Sequence, residues 1–320
     1  MSPAGSPGRH RSGFTFIELM IALTLGVIVL AAAVGFVLRE MRGMAGSEIR
    51  QSLARNGRYI GVSLRHDVQR AGIELTSSRS FGTVAVWPGT FGDTLVVLHI
   101  PYEPDLAPPH SLIPPAGSTN PLPPGGTCGL RCLDLLKRPP TAAELEIRPG
   151  DLARLQIPGK RQLIMVQEVE ITSDTSFQVR FTEIDTLLHQ PASMTDGMLL
   201  DQFGTFVQEI TPVMYYLDGA GQLMRSSRLN MDGSPDGHVL AYGVKQFDVR
   251  LLFADGDEHE RAEPLDTDDT NDYDDIVAVS VRVTVQAERA DIRVNRGELL
   301  ERTYEWTIAP RNLRYEKFKL

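Results

Sequence analysis

Residues 13–19 of the chain read Gly-Phe-Thr-Phe-Ile-Glu-Leu, and they lead directly into a long apolar run. From Leu19 to Leu38, twenty consecutive residues include no charged side chain and no proline. A helix of this length is roughly 30 Å long, which matches the hydrocarbon core of a bilayer. A helix also satisfies its own backbone hydrogen bonds where no water is present. The stretch therefore predicts a membrane-spanning helix.

The composition of the 320-residue chain narrows the classes of protein to consider. Its hydrophobic fraction of 42% and charged fraction of 23% are ordinary for a folded protein, which excludes wholesale disorder. Its single long apolar stretch excludes a polytopic membrane protein. The formal net charge is −9, and the segment from Asp255 to Asp275 alone carries −10. Because a general nucleic-acid binder needs a basic surface, we expect no direct binding of nucleic acid.

Three interpretations of the amino-terminal stretch compete. A secretory signal would have a shorter apolar core and a cleavage site of small residues, which Ala31-Ala32-Ala33 could supply, but the run continues to Leu38. A plain membrane anchor fits the length but gives no reason for Glu18 at the start of the run. A carboxylate near hydrocarbon is costly and usually has a partner. The third interpretation supplies that partner.

The segment Gly13-Phe14-Thr15-Phe16-Ile17-Glu18-Leu19 resembles the class III signal of type IV pilins and type II secretion pseudopilins. The resemblance implies that a prepilin peptidase cuts between Gly13 and Phe14 and that the same enzyme methylates Phe14. It also implies that Glu18 pairs with the terminal amine of a neighbouring subunit during assembly. Such a pair is physically coherent, because opposite charges in a low dielectric attract strongly and offset each other's burial cost.

The resemblance and the sequence patterns together divide the chain into four segments. We expect a leader peptide over 1–13, a transmembrane or filament-core helix over 14–38, an amphipathic continuation of the helix over 39–73, and a β-rich periplasmic or extracellular domain over 74–320. The continuation carries apolar residues at helical spacing: Ile49, Leu53, Ile60, Leu64, Val68 and Ala71.

Apolar or alternating runs bounded by turn residues predict the strands of the last segment. They lie at Thr83–Trp87, Thr94–Pro101, Gln162–Thr172, Ser176–Ile184, Val213–Leu217, Gln222–Ser226, Val244–Ala254, Ile276–Gln286 and Arg302–Ile308. Since strands outnumber helices after the first seventy residues, the predicted fold class is α+β, with the long helix packed on an antiparallel sheet.

Further patterns are similar to those of PilW-type minor pilins: Leu64-Arg65-His66-Asp67-Val68, Tyr215-Tyr216-Leu217 with Gln222-Leu223-Met224-Arg225, Tyr242-Gly243-Val244 and Ile276-Val277-Ala278. This resemblance implies a priming complex in the inner membrane, formed with other minor pilins, the major pilin and the pilus assembly platform. Two alternatives stay open. One is a J-type minor pseudopilin of a type II secretion system, and the other is an exported enzyme or binding protein that uses the helix as a tether.

Cys128 and Cys132 are the only cysteines of the chain. An even count in an exported domain favours a disulfide bond, which would constrain only a short ring. A zinc site would need four ligands, and no histidine lies close by in the sequence. A free dithiol is the alternative.

Two segments are unusual in composition. The proline-rich segment 101–126 predicts an exposed loop, with recognition of a sister subunit as the alternative. The acidic segment 255–275 predicts a solvated loop. Its carboxylates and amide form a weak calcium candidate without EF-hand spacing: Asp266, Asp268, Asp269, Asn271 and Asp272.

The sequence contains no recognisable catalytic motif. The histidines are scattered, and the sequence has no metalloprotease, serine-hydrolase or phosphate-loop signature. We therefore expect a protein that is not an enzyme and that has no cofactor, with calcium as the one weak exception.

Overall fold

A computed structural model of the protein describes residues 15–100, 109–114, 117, 128–129, 131–137, 147–184, 187–188, 200–201, 203–264, 266, 269–290 and 297–311. The side chains of residues 42 and 45 are not described.

One long helix, α1, runs from Phe16 to Val68, close to the predicted limits of 14 and 73. The chain divides into two compact units, Met1–Ser52 with Arg289–Leu300, and Leu53–Glu288 with Glu301–Leu320. The helix thus contributes to both units. The boundary lies inside α1 and not after it, because the helical residues from Leu53 onward are part of the packed globular unit.

The described residues contain fourteen strands. They are β1 (Val84–Trp87), β2 (Thr94–His99), β3 (His110–Ser111), β4 (Cys132–Leu136), β5 (Leu152–Ile157), β6 (Lys160–Ile171), β7 (Ser176–Glu183), β8 (Phe206–Leu217), β9 (Leu223–Leu229), β10 (Pro235–Ala241), β11 (Val244–Phe253), β12 (Glu258–His259), β13 (Ile276–Gln286) and β14 (Glu301–Ile308). All nine predicted strands are present, and β3, β4, β5, β10 and β12 are additional.

The strands form two antiparallel sheets, where a single sheet was expected. The larger sheet has ten strands in the order β1-β2-β8-β5-β6-β7-β4, with β3, β9 and β10 attached through β8. The smaller sheet has the order β12-β11-β13-β14. Strongly twisted sheets rarely exceed about ten strands before they split, which accounts for the second sheet. Asp93 links the two, since its amide donates to the Phe247 carbonyl oxygen and its carboxylate accepts from the Val249 amide.

Part of the larger sheet closes on itself. β3 pairs with β8, and Leu112, directly after β3, bridges to Leu135 of β4. Strands β3, β8, β5, β6, β7 and β4 therefore form a ring around their own apolar core, whose members include Leu135, Leu155, Val166, Phe177 and Val207. This small barrel is the main feature of the fold that the sequence patterns did not predict.

From Leu53 onward, α1 packs against the sheets of the same unit through its predicted stripe. All six stripe residues are buried. Between them, Gly57 and Gly61 make room for the stacked rings of Tyr304 and Trp306 on β14. The Tyr304 hydroxyl donates a hydrogen bond to the carbonyl oxygen of Leu53 at 3.0 Å. The predicted α+β class, with the helix packed on antiparallel strands, is confirmed.

Candidate functional site

The first turn of α1 is closed by two side chains of the predicted signal. Thr15 precedes the helix, and its hydroxyl accepts a hydrogen bond from the Glu18 amide at 3.3 Å. Glu18 reaches back, and its carboxylate accepts from the Thr15 amide at 2.9 Å and from the Thr15 hydroxyl at 3.1 Å. This reciprocal arrangement is a capping box, which satisfies backbone donors that a helix leaves free at its amino terminus.

The helix that follows exposes apolar side chains on all sides. From Phe16 to Met41 the described side chains are solvent-exposed, including Phe16, Leu25, Leu30 and Phe36. A helix that is apolar all round needs a non-aqueous environment. By length and composition α1 is suited to cross a membrane. The same surface is suited to pack against other apolar helices.

Some of the predicted site residues lie outside the described residues. These are Gly13 and Phe14 at the expected cleavage site, and Asp268 of the calcium candidate. Of the proline-rich segment 101–126, only residues 109–114 and 117 are described. Within them, β3 pairs with β8, and His110 and Leu112 are buried. The prediction of an exposed loop is therefore wrong for this part, because the chain closes the barrel here. Glu18, Cys128, Cys132, Asp266, Asp269, Asn271 and Asp272 are all described.

A buried polar cluster joins α1 to the larger sheet. Asp67, on the last turn of the helix, is 2% exposed. Its Oδ2 accepts hydrogen bonds from the Tyr215 hydroxyl on β8 at 2.5 Å and from Arg225 Nε on β9 at 2.8 Å. Its Oδ1 lies 2.9 Å from Nδ1 of His66. Two segments that resemble PilW-type pilins, around Asp67 and around Tyr215 and Arg225, are therefore in direct contact.

The electrostatics of this cluster favour the ion pair. Burial opposes ionisation of Asp67, but hydrogen bonds from Arg225, Tyr215 and His66 outweigh it and lower the pKa of the carboxyl group. The hydrogen bond to Asp67 raises the pKa of Arg225, and burial raises the pKa of Tyr215. At pH 7 the cluster therefore contains an ionised carboxylate, a guanidinium and a neutral phenol. We call the contact of Asp67 with Tyr215 and Arg225 the latch.

His99 of β2 lies in the electrostatic field of this cluster. It is 5% exposed, and its Nδ1 has no hydrogen-bond partner among the described residues. Burial, together with the charge of Arg70, lowers the pKa of its imidazole. His99 is therefore neutral at pH 7.

The acidic segment is organised by a cation from another part of the chain. Arg79, in the loop between α1 and β1, contacts Asp269 Oδ1 through Nη1 at 2.5 Å and Asp272 Oδ2 through Nε at 3.1 Å. Its Nη2 lies 3.9 Å from Asp266 Oδ1. Three of the five predicted calcium ligands therefore converge on a guanidinium.

Among the described carboxylates of the acidic segment, Asp272 is the buried one. Burial raises the pKa of its carboxyl group to about 6, with the carboxylates of Asp274, Asp266 and Asp275 acting in the same direction and Arg79 opposing them. Oxygen atoms of Asp272, Asp274 and Asp275 lie within 4.8 Å of one another. These carboxylates are of the type that calcium binds. Calcium binding by the segment stays a prediction.

Cys128 and Cys132 are joined in a disulfide bond at the start of β4, with their Cα atoms 5.3 Å apart. The bond closes a short ring next to a strand of the barrel, where it restrains the local chain.

Sequence reasoning missed three features of these sites. The capping role of Thr15 had a signal, because Thr-x-x-Glu before an apolar run is the pattern of a capping box. Asp67, Tyr215 and Arg225 lie within the PilW-like patterns, but the sequence gives no sign of the contact between them. Arg79 had no signal, since 190 residues separate it from Asp269.

Comparison with known proteins identifies the amino-terminal segment. Residues 8–34 match the family model described as the prokaryotic N-terminal methylation motif. No curated protein sequence matches the chain. Among solved structures, the chain is similar to a type IV-like pilin from Thermus thermophilus, with 10% identity over 82% of this chain and 97% of that chain, at a TM-score of 0.36. The amino-terminal segment is thus a class III prepilin signal, and the predicted likeness to type IV pilin-like proteins is confirmed over it.

Proposed function

We propose that the chain is a minor type IV pilin of the PilW type, a structural subunit and not an enzyme. A prepilin peptidase cuts it between Gly13 and Phe14, and Phe14 is then methylated. Glu18 pairs with a neighbouring subunit's terminal amine. The observation that carries the proposal is the methylation motif over residues 8–34, continuous with an exposed apolar helix.

The helix fits a single-pass anchor in the inner membrane, with the globular unit in the periplasm before assembly and on the pilus afterwards. The partners are the prepilin peptidase, other minor pilins, the major pilin, the assembly platform and membrane lipid. Because Arg79 already supplies a cation to the acidic segment, the proposal includes no metal.

The PilW type rests on the resemblance of segments around Asp67 and around Tyr215 and Arg225, which the fold brings into contact. A J-type minor pseudopilin of a type II secretion system is the alternative. In a tethered enzyme Glu18 would serve only to cap the helix, whereas a pilin also needs its charge for assembly. The charge of Glu18, and not its presence, therefore distinguishes the pilin from the tether.

The capping box allows the charge of Glu18 to be tested apart from its role in the helix. Glu18→Gln keeps a side chain that can cap, since glutamine also serves at this position of a capping box. Glu18→Leu removes the hydrogen bonds of the carboxylate together with its charge, and Thr15→Val removes the hydrogen bonds of the hydroxyl while it leaves the charge in place. The measurement is co-purification of each variant with sister pilins, together with its level in the membrane.

We expect Glu18→Gln and Glu18→Leu to reach the membrane normally but to lose partners about a hundredfold or more. Removing one member of a buried ion pair costs about 3–5 kcal/mol, which corresponds to that factor. Thr15→Val should retain its partners. If Glu18→Gln recovers every partner at wild-type yield, the charge has no role in assembly. The chain would then be better explained as an exported enzyme or binding protein that uses the helix as a tether.

A further inference from the structure

The outward face of α1 within the globular unit carries an unusual row of side chains. Arg55, Arg58, Tyr59, Val62 and Arg65 are all exposed and follow one another at helical spacing. We call these five residues the arginine face. It lies opposite the buried stripe and extends about 15 Å along the helix axis.

The arginine face has no counter-charge of its own. Between Leu53 and Val68 the only carboxylate is Asp67, which is buried and bonded to Tyr215 and Arg225. Within the part of the chain that the structure describes, none of the three arginines makes an ion pair. Like charges at this spacing destabilise a helix slightly, so an external anion bound to the face would stabilise the helix.

The apolar members of the face indicate a protein partner. Tyr59 is 57% exposed and Val62 is 63% exposed, in the middle of the row. Arginine and tyrosine are enriched where proteins bind each other, with apolar side chains at the centre and charges at the rim. The apolar pair at the centre and the arginines around it thus match the composition of a protein interface.

The same unit carries a complementary surface. Arg79 engages Asp266, Asp269 and Asp272, and Arg250 lies near Glu260. Five exposed carboxylates of the acidic segment make no ion pair with a described residue: Asp255, Asp257, Glu258, Glu263 and Asp274. Neither this surface nor the arginine face is paired with the other within the described chain. Both are available to another molecule.

We propose that the arginine face binds the acidic segment 255–275 of a second copy of this chain. The two surfaces are different, so the contact is heterologous, and it can repeat from copy to copy. Complementary charge would steer the encounter and set its orientation. The inference is independent of the proposed function, because it concerns self-association of the purified chain.

A site-specific photocrosslink tests the contact in the full chain in detergent micelles. Benzoylphenylalanine replaces Tyr59 at the centre of the face. In the control it replaces Tyr242, which is equally exposed at 56% but lies between β10 and β11. Isotope-labelled and unlabelled copies are mixed, so that mass spectrometry of the tryptic peptides distinguishes adducts between copies.

We expect the adduct from position 59 to join two copies and to map to residues 255–275. Its yield should fall in about 1 M salt, where the screening length is roughly 3 Å. Arg58→Glu with Arg65→Glu should lower the yield about fivefold, a modest factor because exposed ion pairs are individually weak. Arg58→Lys with Arg65→Lys retains the charge and should bind nearly as well. A copy carrying Asp257→Lys and Glu258→Lys should restore binding to the double glutamate variant.

Three results would overturn the inference: equal adducts from positions 59 and 242, an adduct that maps outside the acidic segment, or adducts from position 59 only within one copy or with detergent. Melting curves of each charge variant establish that it is folded, so a lost adduct reports the interface.

Discussion

Tyr215 on β8 donates a hydrogen bond from its hydroxyl group to Oδ2 of Asp67, on the last turn of α1. The residues are 148 positions apart in sequence, and both are almost fully buried. Because Arg225 on β9 donates to the same oxygen, one carboxylate fastens the helix to two neighbouring strands. This latch holds the end of α1 on the larger sheet.

Replacing Asp67 should therefore weaken the globular unit strongly. Asp67→Ala leaves Arg225 without its counter-charge and the Tyr215 hydroxyl without its acceptor, and we expect a loss of about 3–5 kcal/mol of unfolding free energy. Tyr215→Phe keeps the ion pair and should cost less, about 1–3 kcal/mol. Denaturant unfolding of the full chain in detergent measures both. Equal and small losses would show that the latch does not stabilise the fold.

The same carboxylate gives a defined pH dependence. The pKa of Asp67 is lower in the folded protein than its unfolded value of about 3.9. The stability that it contributes is present above that unfolded value and is lost as the pH falls through the folded pKa. Wild type should thus lose part of its advantage over Asp67→Ala only below about pH 4. An advantage that is unchanged down to pH 2 would contradict this assignment.

Gly57 tests the fit between α1 and β14. A Cβ atom added there would lie 2.3 Å from the Tyr304 ring, whereas nothing lies within 4 Å of one added at Gly43. We expect Gly57→Ala to destabilise the protein by about 1–3 kcal/mol, although alanine is the better helix former. Gly43→Ala, the matched control, should be neutral or stabilising by up to about 1 kcal/mol. Thermal melts check both, and a neutral Gly57→Ala would refute the close packing.

Asp272 should act on stability in the opposite direction to Asp67. Its pKa is raised to about 6 by burial and by neighbouring carboxylates, so the folded state holds its proton longer than the unfolded state does. Its contribution is complete below about pH 3.9 and is lost as the pH rises through about 6. Asp272→Asn removes this titration. Its melting temperature relative to wild type should therefore rise between pH 4 and pH 6 and then level off, and a flat difference would contradict the raised pKa.

Sequence patterns predicted some elements of the fold and missed others. The helical stripe from Ile49 to Ala71 was predicted because a 3.6-residue period is a local property of the chain. Strand β5 was missed because Arg154 interrupts its apolar run, and the structure shows that this charge is buried in a hydrogen bond to Gln208. Strand β10 was hidden by Pro235 and Gly237, which normally indicate turns. Gly237 is needed there, since an added Cβ would lie 2.5 Å from the Tyr216 hydroxyl oxygen.

The contacts that define the sites depend on tertiary structure and have no sequence period. Arg79 and Asp67 each find partners more than a hundred residues away, through loops that bring separate strands together. The processing signal, by contrast, does not depend on tertiary structure. Its residues are contiguous, so the sequence alone predicted a site whose cleavage position lies outside the described residues.

The mass of the mature amino-terminal peptide tests the central claim most directly. The protein, purified from the membrane of a host with a prepilin peptidase, should begin at Phe14 and carry one additional methyl group. Gly13→Val should leave the leader attached, because a side chain at that position obstructs cleavage. A mature chain that begins after Ala33, or one that keeps residues 1–13 in the presence of the peptidase, would contradict the account.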